Sequence, residues 1–329
     1  MIYFANSPGN LRPARHVSLF LSVLLLATII CTTIRPAASQ TNQHLEAVIT
    51  AAARERSNYI DRFRDLISEE IRSFQVFDRQ GRIRRSRTVI STFVVFQYGD
   101  RSDSIAEFRN IVSIDGRMAG KTEERAASFF THLTNIRSAE RTLERIEKEG
   151  SRSDLDYSIN GLTLFQSVAL AENLRPYFDF SMQEINVEGQ RPLLAVSYRQ
   201  KGDCPFILFG RDKVGVGSEL KLVFDLGDEA LRKLSPRLNG VLWIDKETLR
   251  VVKEERRLNA ANPKASGSRL ISETIFEYVE SDLGLNVPST IFHTQFRPKS
   301  PGIKETTITF RYSSFSRPEV EIRGTEIRN

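Results

Sequence analysis

The chain is poor in cysteine, tryptophan, histidine and methionine. Two cysteines among 329 residues cannot build a disulfide framework or a cysteine metal site. Cys31 closes an apolar run near the start. Cys204 precedes Pro205 and is expected to be a small, partly buried residue rather than a reactive thiol. Four histidines are present, and none lies at metal-ligand spacing from another, so no zinc motif is formed. The G-x-S-x-G turn of serine hydrolases is missing. Neither a cofactor nor a metal is expected. A net charge of +6 is modest for 329 residues and excludes the dense basic footprint of a nucleic-acid binder.

Apart from one stretch, no apolar run approaches spanning length. That stretch, Val17–Cys31, follows Arg12, Arg15 and His16 and precedes Ala37-Ala38-Ser39. A basic front, a short apolar middle and small residues before a cut are the parts of a secretory signal. The run is shorter than the roughly 20 residues a spanning helix needs. Residues 1–39 are therefore expected to be cleaved, and 40–329 to form one exported, periplasmic, β-rich domain. Removal of Arg12, Arg15 and Arg35, with no acid among them, lowers the net charge from +6 to +3.

Hydrophobic residues make up 40% of the chain, enough for a sizeable core. Leu45, Val48, Ile49, Ala52, Tyr59, Ile60, Phe63 and Leu66 recur at three- and four-residue steps and predict an amphipathic helix over 42–67. The stretches 69–78 and 87–98 predict a long hairpin turning at Gly81, and 106–114 a third strand ending at Asp115-Gly116. A helical insertion is expected over 123–175: Ala126, Phe129, Phe130 and Leu133 share a face, and a second helix runs over 138–149. Residues 163–174 are apolar all round, which predicts a buried helix ended by Pro176.

Strands follow at 177–187, 193–200, 218–226, 239–245, 249–258, 270–280, 289–297 and 304–315. Alternation in Leu220, Leu222, Phe224, Leu226 and in Thr306, Ile308, Phe310, Tyr312 indicates antiparallel sheet. Phe93–Phe96 is apolar on both faces. The fold class is α+β: a curved antiparallel sheet forming an incomplete β-barrel, with helices inserted against its concave face.

Several spacings approach catalytic motifs and fail on context. Gly116-Arg-Met-Ala-Gly120-Lys121-Thr122 follows a strand, but Asp115 stands where a phosphate loop needs glycine. Ser218 and Lys221 match S-x-x-K inside a strand-like segment, which points them to opposite faces. Gly215-Val-Gly217 precedes a strand rather than a helix. The paired acids Glu69-Glu70 and Glu254-Glu255 are expected at solvated positions.

Two features stand out. Arg79, Arg82, Arg84, Arg85 and Arg87 crowd a hairpin tip, where guanidinium groups suit the phosphates of an anionic membrane surface or another anionic partner. Phenylalanine numbers 21 and suits a filled core or an apolar ligand cavity.

Gly240-Val-Leu-Trp-Ile-Asp-Lys-Glu-Thr-Leu-Arg-Val-Val-Lys253 resembles a hairpin of envelope proteins similar to the lipoprotein carrier and its half-barrel relatives. Phe108–Gly116 and Thr307–Phe315 resemble segments of uncharacterised exported proteins with the same layout. The resemblance implies an apolar half-barrel that holds acyl chains or lipidated proteins. This chain is considerably longer than the typical carrier. Leu222, Phe224, Trp243, Ile275, Phe292 and Phe310, taken from the late strands, are the expected lining. The leading expectation is an envelope carrier for an apolar ligand, with a lipid or lipidated protein as partner and no catalytic residue. A partner-docking protein without ligand is the alternative. A secreted hydrolase using His132 or His293 is the second.

Overall fold

The computed structural model describes residues 37–97, 105–121, 124, 148–155, 159, 162–164, 166–185, 191–209, 222–224, 235–261, 268–298 and 300–317. The expected helix over 126–133, the expected helix over 138–149 up to residue 147, His132 and the Ser218–Lys221 pair lie outside them. The chain divides after Ala47 into a short unit, whose described part is helical, and a large unit from Val48 onward.

The amphipathic stripe forms helix α1, Ala37–Phe63. In the large unit Val48, Ile49, Ala52, Tyr59 and Phe63 are its buried positions. The helix ends earlier than the 42–67 expected, because Asp65 takes a left-handed turn (φ 59°) and Leu66 already belongs to a strand. It also begins at Ala37, inside the stretch expected to be cleaved.

Strands dominate the rest: β1 Leu66–Phe77, β2 Ile83–Gln97, β3 Ile105–Ile114, β4 Arg117–Met118, β5 Phe178–Ile185, β6 Leu193–Gln200, β7 Ile207–Phe209, β8 Leu222–Phe224, β9 Arg237–Asp245, β10 Val251–Ala261, β11 Ser268–Glu280, β12 Asn286–Phe296 and β13 Lys304–Ser316. Eleven form one sheet in the order β4-β3-β2-β1-β13-β12-β11-β10-β9-β6-β5. Every pairing in it is antiparallel, and the sheet is open, ending at β4 and β5. The first and last strands meet in its middle, where Phe74 pairs with Ile308. β7 and β8 form a separate parallel pair, so Leu222–Phe224 belongs to a second small sheet and not to the main one.

Period-two alternation gives the main sheet one covered face. On β1 it is Leu66, Ser68, Glu70, Arg72, Phe74 and Val76, all buried. Phe93, Phe276 and Phe310 join Phe74 there, fully buried, each contributing roughly 1.5–3 kcal/mol by leaving water. The opposite face is partly apolar as well: Val94, Phe96 and Phe108 form a small buried cluster with Ile67 and Ala106. The doubly apolar run Phe93–Phe96 is thus buried on both sides.

The segment expected as an apolar helix over 163–174 is buried but not α-helical. It holds one 3-10 turn, Val168–Leu170, and a second, Arg175–Tyr177, follows it. Ser167 sits in the left-handed region (φ 47°), which breaks any helix at that point. We call the described stretches of 148–174 the strap.

Candidate functional site

Two clusters of buried charge lie on the covered face, and both hold the strap. In the first, Glu70 and Arg72 stand two residues apart on β1 and so share a face. Arg72 Nε lies 3.1 Å from Glu70 Oε1. Arg109 on β3 reaches the same carboxylate at 2.8 Å. It crosses β2 where Ser91, a small residue, pairs with Glu70. Arg109 Nη1 also meets Glu107 Oε2 at 2.9 Å. From this cluster Arg72 donates to Asp154 at 2.6 Å and to the Gly150 carbonyl at 2.9 Å. Glu107 accepts the Thr163 hydroxyl at 2.5 Å and its N–H at 3.1 Å.

The second cluster centres on Glu254 of β10. Arg256 donates to both of its oxygens at 3.0 Å, a charge-assisted fork. The Tyr198 hydroxyl donates to Oε1 at 2.9 Å, and the Ser167 N–H to Oε2 at 2.7 Å. From α1, Arg56 Nε donates to the Gln166 carbonyl and the Tyr59 hydroxyl to the Thr163 carbonyl. Backbone groups at Gly150, Thr163, Gln166 and Ser167 of the strap are therefore satisfied by side chains of the sheet and of α1. Guanidinium groups of Arg72, Arg109 and Arg256 also lie 5.8, 5.1 and 4.6 Å from the rings of Phe74, Phe93 and Phe276.

Glu70 and Glu254 were expected at solvated positions; both are fully buried. Their sequence neighbours Glu69 and Glu255 face the other way, exposed and half-buried. The alternation is thus as expected, but the charged member faces inward because an arginine two residues on neutralises it. The sequence does carry the signal. Glu-x-Arg occurs on β1 (Glu70, Arg72), β3 (Glu107, Arg109) and β10 (Glu254, Arg256), each time placing an opposite charge on the same face.

These charges are matched to one another. Burial pulls the Arg109 guanidinium down, but Glu70 and Glu107 outweigh it and leave it above its ordinary value. Burial lowers Arg56 to about 10, partly offset by Glu254, so it stays cationic at neutral pH. Burial raises the hydroxyls of Tyr59, Tyr198, Tyr278 and Tyr312 well above the usual range. His293, one candidate for the hydrolase reading, is lowered to about 4 by burial, and the Arg256 charge adds to this. Its Nδ1 is 2.9 Å from the Thr274 hydroxyl. Buried and neutral at pH 7, it is a poor general base.

The expected lining residues separate. Phe310 is buried on the covered face. Trp243, Ile275 and Phe292 are half-buried on the opposite face. Ile275 pairs with Phe292 there, and Trp243 lies under the Lys253 ammonium at 4.8 Å. Leu222 is buried in the small sheet, and Phe224 stacks on Phe209 at 5.8 Å. Of the arginines, Arg79, Arg82, Arg84 and Arg85 are exposed around the β1–β2 turn. Arg82 pairs with Asp78 at 2.9 Å. Arg87 is half-buried and donates to the Ser153 carbonyl, so it belongs to the strap attachment. Asp115-Gly116 is the turn from β3 into β4, Arg117–Met118, and not a phosphate loop.

A cleft of about 40 Å³ opens between α1, the strap and the turns at one end of the sheet. It has room for a few waters, whereas pockets for sizeable ligands span roughly 300–1,000 Å³.

The resembling hairpin proves structural. Asp245 accepts from the N–H groups of Glu247 and Thr248 and from the Thr248 hydroxyl, which closes the β9–β10 turn. Cys204 is buried, as expected.

No family model matches the chain, and no curated protein matches it. Among solved structures it is similar to a DUF1329 family protein from Desulfovibrio piger, at 14% identity and a TM-score of 0.33, over 85% of this chain and 95% of that one. It is also similar to a LolA superfamily protein from Nitrosomonas europaea, at 8% identity and a TM-score of 0.32, over 82% of this chain and 94% of that one.

Proposed function

We propose that this is an exported binding protein of the bacterial envelope, taking an acyl chain or lipidated partner against the concave face of its half-barrel. The chain would occupy the place that the strap fills in this structure. One observation carries the reading: the covered face lies not under a second sheet but under an irregular strap tied on through its own backbone. A cover attached in this way can lift without unravelling the sheet's own hydrogen bonds. Beneath it an acyl chain would meet Phe74, Phe93, Phe276 and Phe310, gaining about 25 cal/mol per Å² of apolar surface removed from water. No helix among the described residues is long and apolar enough to cross a membrane.

The test is a fluorescent fatty-acid probe titrated into delipidated protein, with mass spectrometry of lipid co-purified from the envelope. Saturable binding of the probe, competed by unlabelled fatty acid, is expected. Failure of the probe to bind, together with lipid-free protein from the envelope, overturns the carrier reading. The filled face then favours the second reading, an envelope docking protein without ligand, whose contacts would be the arginine turn and the half-buried patch of Trp243, Ile275 and Phe292.

A further inference from the structure

The small cleft has a chemistry of its own, separate from the acyl reading above. Its walls come from α1 (Glu55, Arg56, Arg62), the strap (Ser167) and the β9–β10 and β11–β12 turns (Arg250, Asn286). Three guanidinium groups thus face one lining carboxylate. Glu55 does not discharge them: it lies 3.7 Å from Arg250 Nε and also accepts from the Asn58 amide at 3.2 Å. Arg250 touches Glu280 only at 3.6 Å, and Arg62 reaches the Gly284 carbonyl only at 3.5 Å. Arg56 spends its Nε on the Gln166 carbonyl. The cleft therefore keeps a cationic surplus with donors to spare.

Ser167 adds a second observation. The residue lines the cleft and is 1% exposed, and its buried hydroxyl finds no protein partner. A buried hydroxyl left unmatched is destabilising. Its backbone is held in the left-handed region, where a serine is strained. The Glu254 carboxylate beneath takes the Ser167 N–H and fixes the residue in place.

We propose that this cleft binds a small phosphate-type oxyanion, held by Arg56, Arg62 and Arg250 and by the Ser167 hydroxyl. The volume suits a single such group and excludes anything larger than a headgroup. Guanidinium forks match phosphate oxygens.

Calorimetric titration of the whole protein with inorganic phosphate tests this, with glycerol phosphate as a parallel arm. One saturable site in the millimolar range or tighter is expected. Arg250→Gln and Ser167→Gly should each weaken it about tenfold or more, the loss of one charge-assisted or buried bond. Ser167→Gly suits the left-handed backbone better than serine, so its melting temperature should hold or rise, which separates lost binding from lost fold. Tighter binding of glycerol phosphate identifies a lipid headgroup as the source; equal binding identifies free phosphate. Absence of phosphate binding overturns the proposal. So does binding that both variants leave intact while Arg84→Gln abolishes it, because the anion then sits at the arginine turn.

Discussion

Gly240 is hemmed in from two sides. A Cβ there would lie 2.1 Å from the Glu255 carbonyl oxygen and 2.6 Å from the Tyr198 ring and hydroxyl. Tyr198 pairs with Gly240 across β6 and β9, and its ring fills the space a side chain would need. From there its hydroxyl reaches Glu254. Gly240→Ala must therefore push backbone away or expel Tyr198 from Glu254. Overpacking alone costs roughly 1–3 kcal/mol, and losing the Tyr198 hydrogen bond to a charged carboxylate adds about 1.5–3 kcal/mol. We expect a loss of about 3 kcal/mol in denaturant unfolding; an alanine variant as stable as the parent would show that the strand pair yields freely. The glycine was visible in the sequence as part of a hairpin resemblance. Its reason was not, because Tyr198 belongs to another strand and alternation cannot tell which residues will be paired.

The same limit governs the elements. Strands were legible nearly throughout the main sheet because alternation is a local property, and the antiparallel class followed from it. The strap was legible only in part. Its residues had to be buried, as the run of Val168, Ala169, Leu170, Ala171 and Leu174 shows. An isolated reading gives such a run a helix, since that satisfies the backbone locally. Carboxylates on β3 and β10 satisfy it instead, and their inward direction depends on the arginine two residues along. Thr163→Val tests this attachment with little change of shape. It removes the hydroxyl donor to Glu107, a bond to a charged group worth about 1.5–3 kcal/mol. Hydrogen exchange should quicken in the strap amides, Ser167 included, while the β1 and β13 amides keep their protection. Uniform acceleration across strap and sheet would show instead that the two open as one unit.

Across the large unit the charges divide by end. The cleft lies at the end where β1 begins and the β11–β12 turn closes. At the other end Arg79, Arg82, Arg84 and Arg85 surround the β1–β2 turn, with Ile83 55% exposed. Because Val89 pairs with Ile114, the β3–β4 turn falls at that same end, bringing Arg117 and Met118, which is 76% exposed. Basic residues around two exposed apolar side chains suit a surface that is both anionic and greasy. Near such a membrane each cation contributes about 1 kcal/mol. Arg82 is partly spent on Asp78. Replacing Arg79, Arg82, Arg84 and Arg85 together by glutamine should weaken binding to phosphatidylglycerol vesicles by tenfold or more in a flotation assay. Binding of the parent should fade as salt shortens the Debye length from about 30 Å at 0.01 M to about 10 Å at 0.1 M. Phosphatidylcholine vesicles should bind neither form. The four residues lie outside the covered face and the cleft, so probe and phosphate binding should survive the change. Vesicle binding that ignores salt and survives the fourfold substitution would place the contact elsewhere, with the apolar patch of Trp243, Ile275 and Phe292 the next surface to probe.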